Sequence, residues 1–451
     1  MTVVISPNPT LPATGTDVLV TVTGLADRHT RYLLDTVLAA DVCYPTSGTT
    51  TGTITVSTTA GTQTIAVEQL VAGVWTNVGS TTISVGSGSS AYPPERALTS
   101  TVPPPVPGLP GYLVPFVDGA TGATVERITN TPSVRHFYAR YAAWNSDGSK
   151  LLMNFTYPGR MLDGDTYADL GSFSTISNAV WCNTDPNKLY GVDGGGNNKL
   201  YTQNATTGAL TTKHTFTGYQ VWIGGNSISW EGGISDDDRY IPLTLLDVGA
   251  GGGDLLAVYD TVADTYVSRA LPASMDNAQI SRLGNYVVVV AGGTTKVWPR
   301  ALTGSGTTLW STGNHGDNAL NAAGQEIFVG NNTGSGVQSY RLSDGHIETL
   351  LPAGTAFEYG HVGGHAVDLH GWVFLSVYDY PTTAGRAGRD QVVAVKTDGS
   401  GTVMWYAFSN HRTNGSVYAT QPHASPNRDG TKVVFASEWG ATNVYAYVAG
   451  Y

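Results

Sequence analysis

The sequence predicts an all-β fold, and three observations lead to this prediction. Charged residues make up only 13% of the 451 residues, whereas the chain contains 56 glycines and 24 tyrosines. Short runs of alternating apolar and polar residues follow one another and are separated by turn residues. From residue 112 onward, a turn rich in Asp, Asn and Gly followed by an apolar strand recurs seven times. This repeat predicts a seven-bladed β-propeller, and the preceding part predicts an immunoglobulin-like β-sandwich.

Residues 1–86 form the predicted sandwich. The runs VLVTVTGL (18–25) and QTIAVEQLV (63–71) alternate apolar and polar side chains, as expected of strands that bury one face. The segment Arg31–Ala40 is expected to form a short helix. Residues 87–111 lose the periodicity, because a Gly- and Ser-rich stretch is followed by TVPPPVPGLPG (101–111). This composition predicts a linker that is first flexible and then stiff.

Residues 112–451 form the predicted propeller. The seven repeats are centred on AAWNSDGSKLLMNF (142–155), AVWCNTDPNKLYGV (179–192), ISWEGGISDDDRYIPLTLL (228–246), DNAQISRLGNYVVVV (276–290), DNALNAAGQEIFVG (317–330), HAVDLHGWVFLSVY (365–378) and HASPNRDGTKVVFAS (423–437). The last repeat stops one strand short, and an unassigned strand, ATVERIT (123–129), precedes the first. We expect ATVERIT to complete the last blade and close the ring, which removes exposed sheet edges. A β-helix or an array of sandwiches fits the spacing and the likeness of the repeats less well.

The charge of the chain restricts its partners. A formal net charge of −11 argues against nucleic acid, because phosphate binding needs a basic stripe. No run of about eighteen apolar residues occurs, so membrane insertion is not expected. Met1 leads directly into TVVISPNPTLP, which lacks the basic and apolar regions of a signal peptide. Together with the low-charge composition, this predicts a virion or extracellular location.

Residues that lead into the first strand of each blade converge on one face of a propeller, at the mouth of its channel. Five of the ten histidines occupy such positions. Histidine serves as a metal ligand or as a general acid or base near neutral pH, so the cluster indicates a metal or catalytic site. The alternative is that these side chains bond buried carbonyl groups. The converging positions include Arg135, His136, Tyr138, Trp230, Gln279, His315, Asp317, His361, His365, Gln421 and His423.

Aromatic side chains near the predicted loops indicate a sugar-binding surface, because aromatic faces stack on sugar rings. Trp230 and Trp372 are predicted to bind a ligand, together with Gln279, Asp317 and His365. The alternative is that the aromatic residues fill the space between blades.

Several segments resemble bacterial seven-bladed propellers related to oligogalacturonate lyases. They are RHFYARYAAWNSDGSKLLM (135–153), His315-Gly-Asp317 with the following NAAGQEIFV, GHVGGH (360–365), DQVVAVKTDGSG (390–401) and QPHASPNRDGTKVVFASEWG (421–440). The resemblance covers residues 112–451.

This resemblance implies a divalent metal ion, such as Mn²⁺, Ca²⁺ or Zn²⁺, that acidifies the C5 proton of a uronate. The implied ligands are His315, His361, Gln421 and His423. The resemblance also implies a base near the metal, for which Arg135 is the candidate, and His136 and Tyr138 complete the predicted catalytic set. Ser425 stands where the family pattern has a second histidine.

Three functions are consistent with the sequence. The first is an adhesin-type virion or surface protein, in which the propeller mouth recognises a polysaccharide or cell-surface glycan and residues 1–86 bind other virion or surface proteins. The second is a metal-dependent polysaccharide lyase that acts by β-elimination on uronate-containing glycans. The third is a structural decoration module whose histidines only stabilise the ring, which predicts no glycan affinity.

Overall fold

The computed structural model describes residues 92–99, 108–155, 159–173, 176–192, 198–225, 233–310, 315–332, 334–377, 383–411 and 418–451, together with the backbone of the strands within residues 2–85. The chain divides into two units, Met1–Tyr92 and Pro93–Tyr451. Helix in these ranges is limited to two 3-10 turns, Ala356–Tyr359 and Tyr418–Thr420, so the all-β prediction is confirmed. No helix found there is long and apolar enough to cross a membrane.

The first unit contains two antiparallel sheets. Its strands are β1 (Thr2–Ser6), β2 (Asp17–Thr23), β3 (Thr30–Leu34), β4 (Val37–Val42), β5 (Thr49–Thr55), β6 (Gly61–Val71) and β7 (Val74–Val85). One sheet has the order β1-β2-β5 and the other has the order β4-β3-β6-β7. The immunoglobulin-like character of this unit stays a prediction.

The prediction of a short helix over Arg31–Ala40 is wrong, because this segment forms most of strands β3 and β4. Strands β3 and β4 pair antiparallel with Leu33 opposite Leu38, and β3 also pairs with β6 on its other side. The Leu- and Ala-rich sequence favours a helix locally. A strand with two partners gains ladder hydrogen bonds on both sides, so tertiary pairing outweighs this weak local preference.

The second unit is a seven-bladed β-propeller. Three strands precede the first blade: β8 (Glu95–Ala97), β9 (Phe116–Val117) and β10 (Thr124–Arg127). Blade 1 contains β11 (Lys150–Met153), β12 (Gly159–Asp163) and β13 (Asp169–Phe173). Blade 2 contains β14 (Ser177–Trp181), β15 (Lys188–Val192), β16 (Lys199–Asn204) and β17 (Leu210–Thr215). Blade 3 contains β18 (Tyr219–Ile223), β19 (Tyr240–Asp247), β20 (Leu255–Asp260) and β21 (Thr265–Ala270).

The remaining four blades follow in chain order. Blade 4 contains β22 (Met275–Ile280), β23 (Tyr286–Ala291), β24 (Thr294–Pro299) and β25 (Thr307–Trp310). Blade 5 contains β26 (Asp317–Leu320), β27 (Glu326–Asn332), β28 (Gly336–Arg341) and β29 (Ile347–Leu351). Blade 6 contains β30 (Gly360–Gly363), β31 (Trp372–Val377), β32 (Gln391–Lys396) and β33 (Thr402–Phe408). Blade 7 contains β34 (Ser425–Pro426), β35 (Lys432–Ser437) and β36 (Tyr445–Gly450).

Strands from the start of this unit complete the last two blades. Strand β10 pairs antiparallel with β36, and β9 pairs with β10, so blade 7 has the order β34-β35-β36-β10-β9. The predicted ring closure by residues 123–129 is therefore confirmed. Strand β8 lies within the segment expected as a linker, and it pairs with β33 at the edge of blade 6.

An asparagine shapes the turn after the innermost strand in several blades. The Oδ1 atoms of Asn145 and Asn427 accept hydrogen bonds at 2.9 Å from the backbone N–H groups of Lys150 and Lys432. Asn321 does the same for Gln325 at 2.9 Å. A side-chain oxygen that replaces a backbone acceptor is the usual reason for asparagine in tight turns, and this explains the recurring Asn in the repeat.

Neighbouring blades are also joined by buried polar contacts. Asp238, in the turn that precedes β19 of blade 3, accepts hydrogen bonds from the backbone of blade 2 at Asn183 (2.6 Å) and Thr184 (2.7 Å). The Cys182 thiol donates to the same carboxylate at 2.8 Å. This Asp238 latch fixes the turn between the first two strands of blade 3 against the end of the innermost strand of blade 2.

Candidate functional site

Side chains from four blades meet at one end of the propeller channel. Tyr138 leads into blade 1, His315 precedes blade 5, and His361 lies in the first strand of blade 6. The Tyr138 hydroxyl lies 2.9 Å from Nδ1 of His361 and 3.5 Å from Nδ1 of His315. The two imidazole rings have centroids 5.2 Å apart. The structure thus brings these three predicted residues together, and we call the group the histidine cluster.

The cluster continues into blade 7 through Gln421 and His423. Nε2 of His361 lies 2.7 Å from Oε1 of Gln421, and Nε2 of His423 lies 3.2 Å from the same oxygen. Because a carboxamide oxygen only accepts, we assign the proton of both imidazoles to Nε2. Nδ1 of His361 then accepts from Tyr138, and Nδ1 of His423 accepts from Nη1 of Arg135 at 2.9 Å. With this assignment, each of these four contacts pairs one donor with one acceptor.

The backbone around His423 supports the cluster. Nε2 of His136 donates to the carbonyl oxygen of His423 at 2.5 Å. His423 has a φ of +48°, in the left-handed region that non-glycine residues seldom adopt. Strain of this kind persists only where surrounding contacts hold it, and it concentrates at functional sites.

The cluster is a buried group of uncharged imidazoles that lies against one cation, Arg135. Arg135, His136, Tyr138, His361 and His423 are all 0–1% exposed. Burial lowers the pKa values of His361 and His423 well below the usual range, and nearby imidazoles and the Arg135 charge act in the same direction. Burial also lowers the pKa of His136 to about 3 and that of Arg135 to about 9. The histidines are therefore uncharged at neutral pH, whereas Arg135 stays a cation.

His315 differs from the other histidines of the cluster because it is an exposed residue. Desolvation of its imidazole ring and the charge of Arg140 lower the pKa of His315 to about 4, while Asp276 acts in the opposite direction. His315 is the member of the cluster that a ligand in the channel mouth can touch directly.

The cluster does not fit the divalent metal that the resemblance implies. No group of three His, Cys, Asp or Glu side chains in the described ranges is arranged to hold an ion. A metal on Nε2 of His423 would require that atom's lone pair and would move the imidazole proton to Nδ1. That proton would face the Nη1–H of Arg135 at 2.9 Å, so two donors would oppose each other. Because Arg135 donates to Nδ1 of His423, the imidazole proton stays on Nε2, and a metal ion cannot bind to that nitrogen.

The predicted ligand-binding residues Asp317 and His365 bond to backbone groups and to Arg282. Asp317 accepts from the backbone N–H groups of Gly364 (2.7 Å) and Asn318 (2.8 Å), and burial raises its pKa to about 7. Nδ1 of His365 accepts from Arg282 at 2.8 Å, and its Nε2 donates to a backbone carbonyl of blade 1. Both side chains are engaged in contacts that join blades.

Gln279 and Trp372 are also held by the fold. The Gln279 amide donates to Asn277 Oδ1 and to the carbonyl of Gly316, both at 3.2 Å. Trp372 is four residues from Ser376, the residue opposite His361, and this separation corresponds to about 13 Å along the strand. The structure therefore does not bring Trp372 to the cluster. Trp230 lies outside the described residues.

Aromatic rings cover the buried residues of the histidine cluster. Tyr418, which is 41% exposed, stacks on Tyr138 with ring centroids 6.0 Å apart and an interplanar angle of 9°. Phe155 stacks on Tyr418 at 6.2 Å, and the Arg135 guanidinium carbon lies 3.7 Å from the Phe155 ring centre. Phe155 did not emerge from the sequence, because its role depends on contacts with residues far along the chain. Among the residues that the structure describes, the accessible part of the site is thus His315, Tyr418 and the half-buried Phe155.

Comparison with known proteins identifies the fold but no family. No protein-family model matches the chain, and no curated protein matches it. Oligogalacturonate lyase in complex with manganese superposes with a TM-score of 0.53 at 13% identity, covering 80% of this chain and 98% of the lyase. A Bacteroides thetaiotaomicron protein of unknown function has a TM-score of 0.40 at 11% identity, covering 100% of this chain and 98% of that one. TolB from Acinetobacter baumannii has a TM-score of 0.34 at 14% identity, with 77% of each chain covered. The likeness to the lyase shows a shared propeller fold.

Proposed function

We propose that the propeller mouth recognises an acidic glycan. The observation that carries this proposal is the guanidinium of Arg135, which is 0% exposed and has no carboxylate partner in the described part of the chain. Its partners are the carbonyl oxygens of His136, Phe137 and Tyr418 and a nitrogen of His423. A buried cation without a counter-ion projects a positive potential onto the surface above it. That surface is local, since the whole chain carries a net charge of −11.

The accessible aromatic rings supply the second half of the recognition. The exposed ring of Tyr418 and the half-buried ring of Phe155 are nearly parallel, with an interplanar angle of 25°. Stacked aromatic faces cover the apolar face of a sugar ring and leave its hydroxyl groups free to hydrogen-bond. A uronate ring on this surface would place its carboxylate in the potential of Arg135 and Arg140.

Isothermal titration of the full chain with an oligogalacturonate tests the proposal. We expect binding that weakens at high salt, because the attraction is electrostatic. Tyr418→Ala should weaken binding at least tenfold, whereas Asp276→Asn should strengthen it, because Asp276 is an exposed carboxylate that acts on both His315 and Tyr418. Tyr266→Ala is the matched control, since Tyr266 is 38% exposed on the outer strand of blade 3. Equal affinity for a neutral oligosaccharide of the same length would refute the proposal.

We further propose that residues 1–86 attach the propeller to a larger virion or surface assembly. This proposal is supported by the division of the chain, in which these residues belong to a separate unit with its own two sheets. Crosslinking of the intact assembly followed by mass spectrometry should place the partner contacts within residues 1–86. Crosslinks that fall only on the propeller would contradict it.

A second candidate function is cleavage of the same glycan by β-elimination. It is favoured by the pKa of Arg135, which burial lowers to about 9, so that a larger fraction of this side chain than of an ordinary arginine is unprotonated and able to accept a proton. Elimination would transfer the C5 proton of a uronate to a base and break the C4–O4 bond, so that the O4 substituent departs as an alcohol after taking a proton from water. The product has a C4–C5 double bond that absorbs in the ultraviolet. Since Arg135 is fully buried, we favour recognition without cleavage and expect no absorbance to appear. Steady growth of absorbance that Tyr418→Ala slows would establish the lyase instead.

A further inference from the structure

A small cavity lies beside the histidine cluster, where blades 1 and 2 meet. Its volume is about 190 Å³, below the roughly 300–1,000 Å³ of sites for drug-sized ligands, so it suits one chemical group rather than a whole oligosaccharide. Its apolar lining comes from Phe137, Tyr141, Phe155, Phe173 and Ile176. Its polar side chains are those of Asn154, Ser177 and Asn178. No charged side chain lines it among the residues that the structure describes.

Asn178 is the unusual residue of this cavity. It is 6% exposed, and among the residues that the structure describes neither its Oδ1 nor its Nδ2 has a hydrogen-bond partner. Buried amides are almost always paired, so an unpaired one requires an explanation. Because χ2 of asparagine is a broad torsion, the amide can turn toward the cavity without a change in the backbone. An amide offers one donor group and one acceptor group to whatever enters.

The backbone at Asn178 deviates from a regular strand. Asn178 has a φ of +52°, and the pairing of β14 with β15 shifts register between Ser177 and Val180. Such bulges re-aim side chains and occur next to functional sites. The facing residue is Gly191, where a Cβ atom would lie 2.6 Å from Ile176 Cδ1 and 2.9 Å from Ser177 O. Glycine at 191 therefore lets the bulged segment approach β15 and close the cavity wall.

We propose that this cavity binds the acetamido group of an N-acetylated sugar. An acetamido group is uncharged, carries one N–H donor and one C=O acceptor, and ends in a methyl group. These features match an unpaired amide in a neutral cavity lined by aromatic and aliphatic side chains. A carboxylate or a phosphate would find no cation in the lining, and a plain hydroxyl would leave the apolar surface uncovered.

The position of the cavity indicates what lies next to the N-acetylated sugar. Phe155 lines the cavity and also lies under Tyr418 and against Arg135. A sugar whose acetamido group fills the cavity therefore has its neighbour on the accessible surface of the histidine cluster. If the proposed recognition of an acidic glycan holds, the two sites together assign the ligand to glycans in which an N-acetylhexosamine is joined to a uronic acid.

Binding of simple glycosides by the full chain tests the cavity separately from the acidic site. The probes are methyl N-acetylglucosaminide and methyl glucoside, measured by saturation-transfer NMR and by competition between the two. We expect at least tenfold tighter binding of the N-acetylated probe, with the strongest saturation on its acetyl methyl protons. Equal affinity of the two probes, or saturation concentrated on the ring protons, would overturn the assignment.

Substitutions at Asn178 separate the contribution of its side-chain amide to binding from the contribution of its positive φ to the backbone bulge. Asn178→Gly tolerates the positive φ and Asn178→Asp keeps the shape, but neither retains the amide; both should lose the preference for the N-acetylated probe. Asn410→Gly is the matched control, because Asn410 is also buried with a positive φ of 51° and does not line the cavity. A preference that survives in Asn178→Gly would overturn the proposal.

The two proposals fail in different ways. If oligogalacturonate binds and the two glycosides bind equally, only the acetamido assignment is wrong. If the N-acetylated probe binds and oligogalacturonate does not, the acidic site is wrong instead.

Discussion

Replacing Asp238 with alanine removes the carboxylate of the Asp238 latch. In the native protein this carboxylate accepts two backbone N–H groups of blade 2, at 2.6 and 2.7 Å, together with the Cys182 thiol and the Thr184 hydroxyl. Asp238 is 6% exposed, so water cannot freely replace the lost acceptor. The two N–H groups would be left without their charged partner inside the protein.

The size of the effect follows from these contacts. Hydrogen bonds to a charged group contribute about 1.5–3 kcal/mol each, so the two backbone bonds alone account for roughly 3–6 kcal/mol. Alanine must also adopt the φ of +60° found at this position, which adds on the order of 1 kcal/mol. Asp238→Asn keeps one oxygen acceptor and tolerates this backbone, so we expect it to lose only about 2 kcal/mol. The alanine loss is a large share of the about 5–15 kcal/mol that stabilises a typical domain.

Urea denaturation followed by tryptophan fluorescence measures the loss as a shift of the midpoint. The matched control is Asp237→Ala in the same turn, since Asp237 is exposed and bonds Ser235 and Arg239 of its own turn. We expect this control to lose less than about 1 kcal/mol. If Asp238→Ala and Asp237→Ala shift the midpoint equally, the latch does not stabilise the propeller and the reasoning is refuted.

Three further predictions concern titration, reactivity and metal. The pKa of His136 is about 3 in the fold, against 6.5 as its ordinary value; the native state thus binds fewer protons over this interval, and His136 destabilises it by roughly 2 kcal/mol on acidification to about pH 5. In urea titrations at neutral pH and at about pH 5, His136→Gln should lose roughly 2 kcal/mol less stability between the two conditions than the unsubstituted protein loses. If both proteins lose the same stability, the lowered pKa of His136 is contradicted. Burial raises the pKa of the Cys182 thiol to about 11, so iodoacetamide should alkylate Cys182 only after unfolding, as peptide mass spectrometry would show; labelling of the native protein would disprove this. A chelator should leave glycan affinity unchanged, while Arg135→Met should gain calorimetric Zn²⁺ binding by releasing His423 Nδ1; zinc binding by the unsubstituted chain would show that the tautomer argument is wrong.

The blades could be predicted because their signals are local. The turn asparagines Asn145, Asn321 and Asn427 act on backbone groups four or five residues away, so each leaves a mark in a short stretch of sequence. The closing strand was predictable as well, since an unpaired strand and an incomplete blade require each other. The region Arg31–Ala40 misled the prediction because its partner strand β6 lies some thirty residues further along.

The sequence predicted where the candidate site lies but not how deeply its side chains are buried. The sequence places Tyr138, His361 and His423 at one end of the channel, yet it does not show that Tyr418 and Phe155 fold over them. Burial depends on contacts between residues hundreds of positions apart, such as Arg135 with Tyr418. The bulge at Asn178 was invisible for the same reason, since a register shift exists only between two paired strands.

Ring closure also determines the order of events during synthesis. Strand β10 completes a sheet whose other members are made last, and the amide of Ala446 reaches back to the Thr129 hydroxyl over 317 residues. At about 5–20 residues per second, β10 waits roughly 15–60 seconds on the ribosome for its partner. Throughout that time blade 7 cannot form and the hydrogen-bonding edge of β10 is open to other chains. The contact that closes the finished propeller therefore forms last, and fast translation or a chaperone would shorten or cover the exposure of β10 until then.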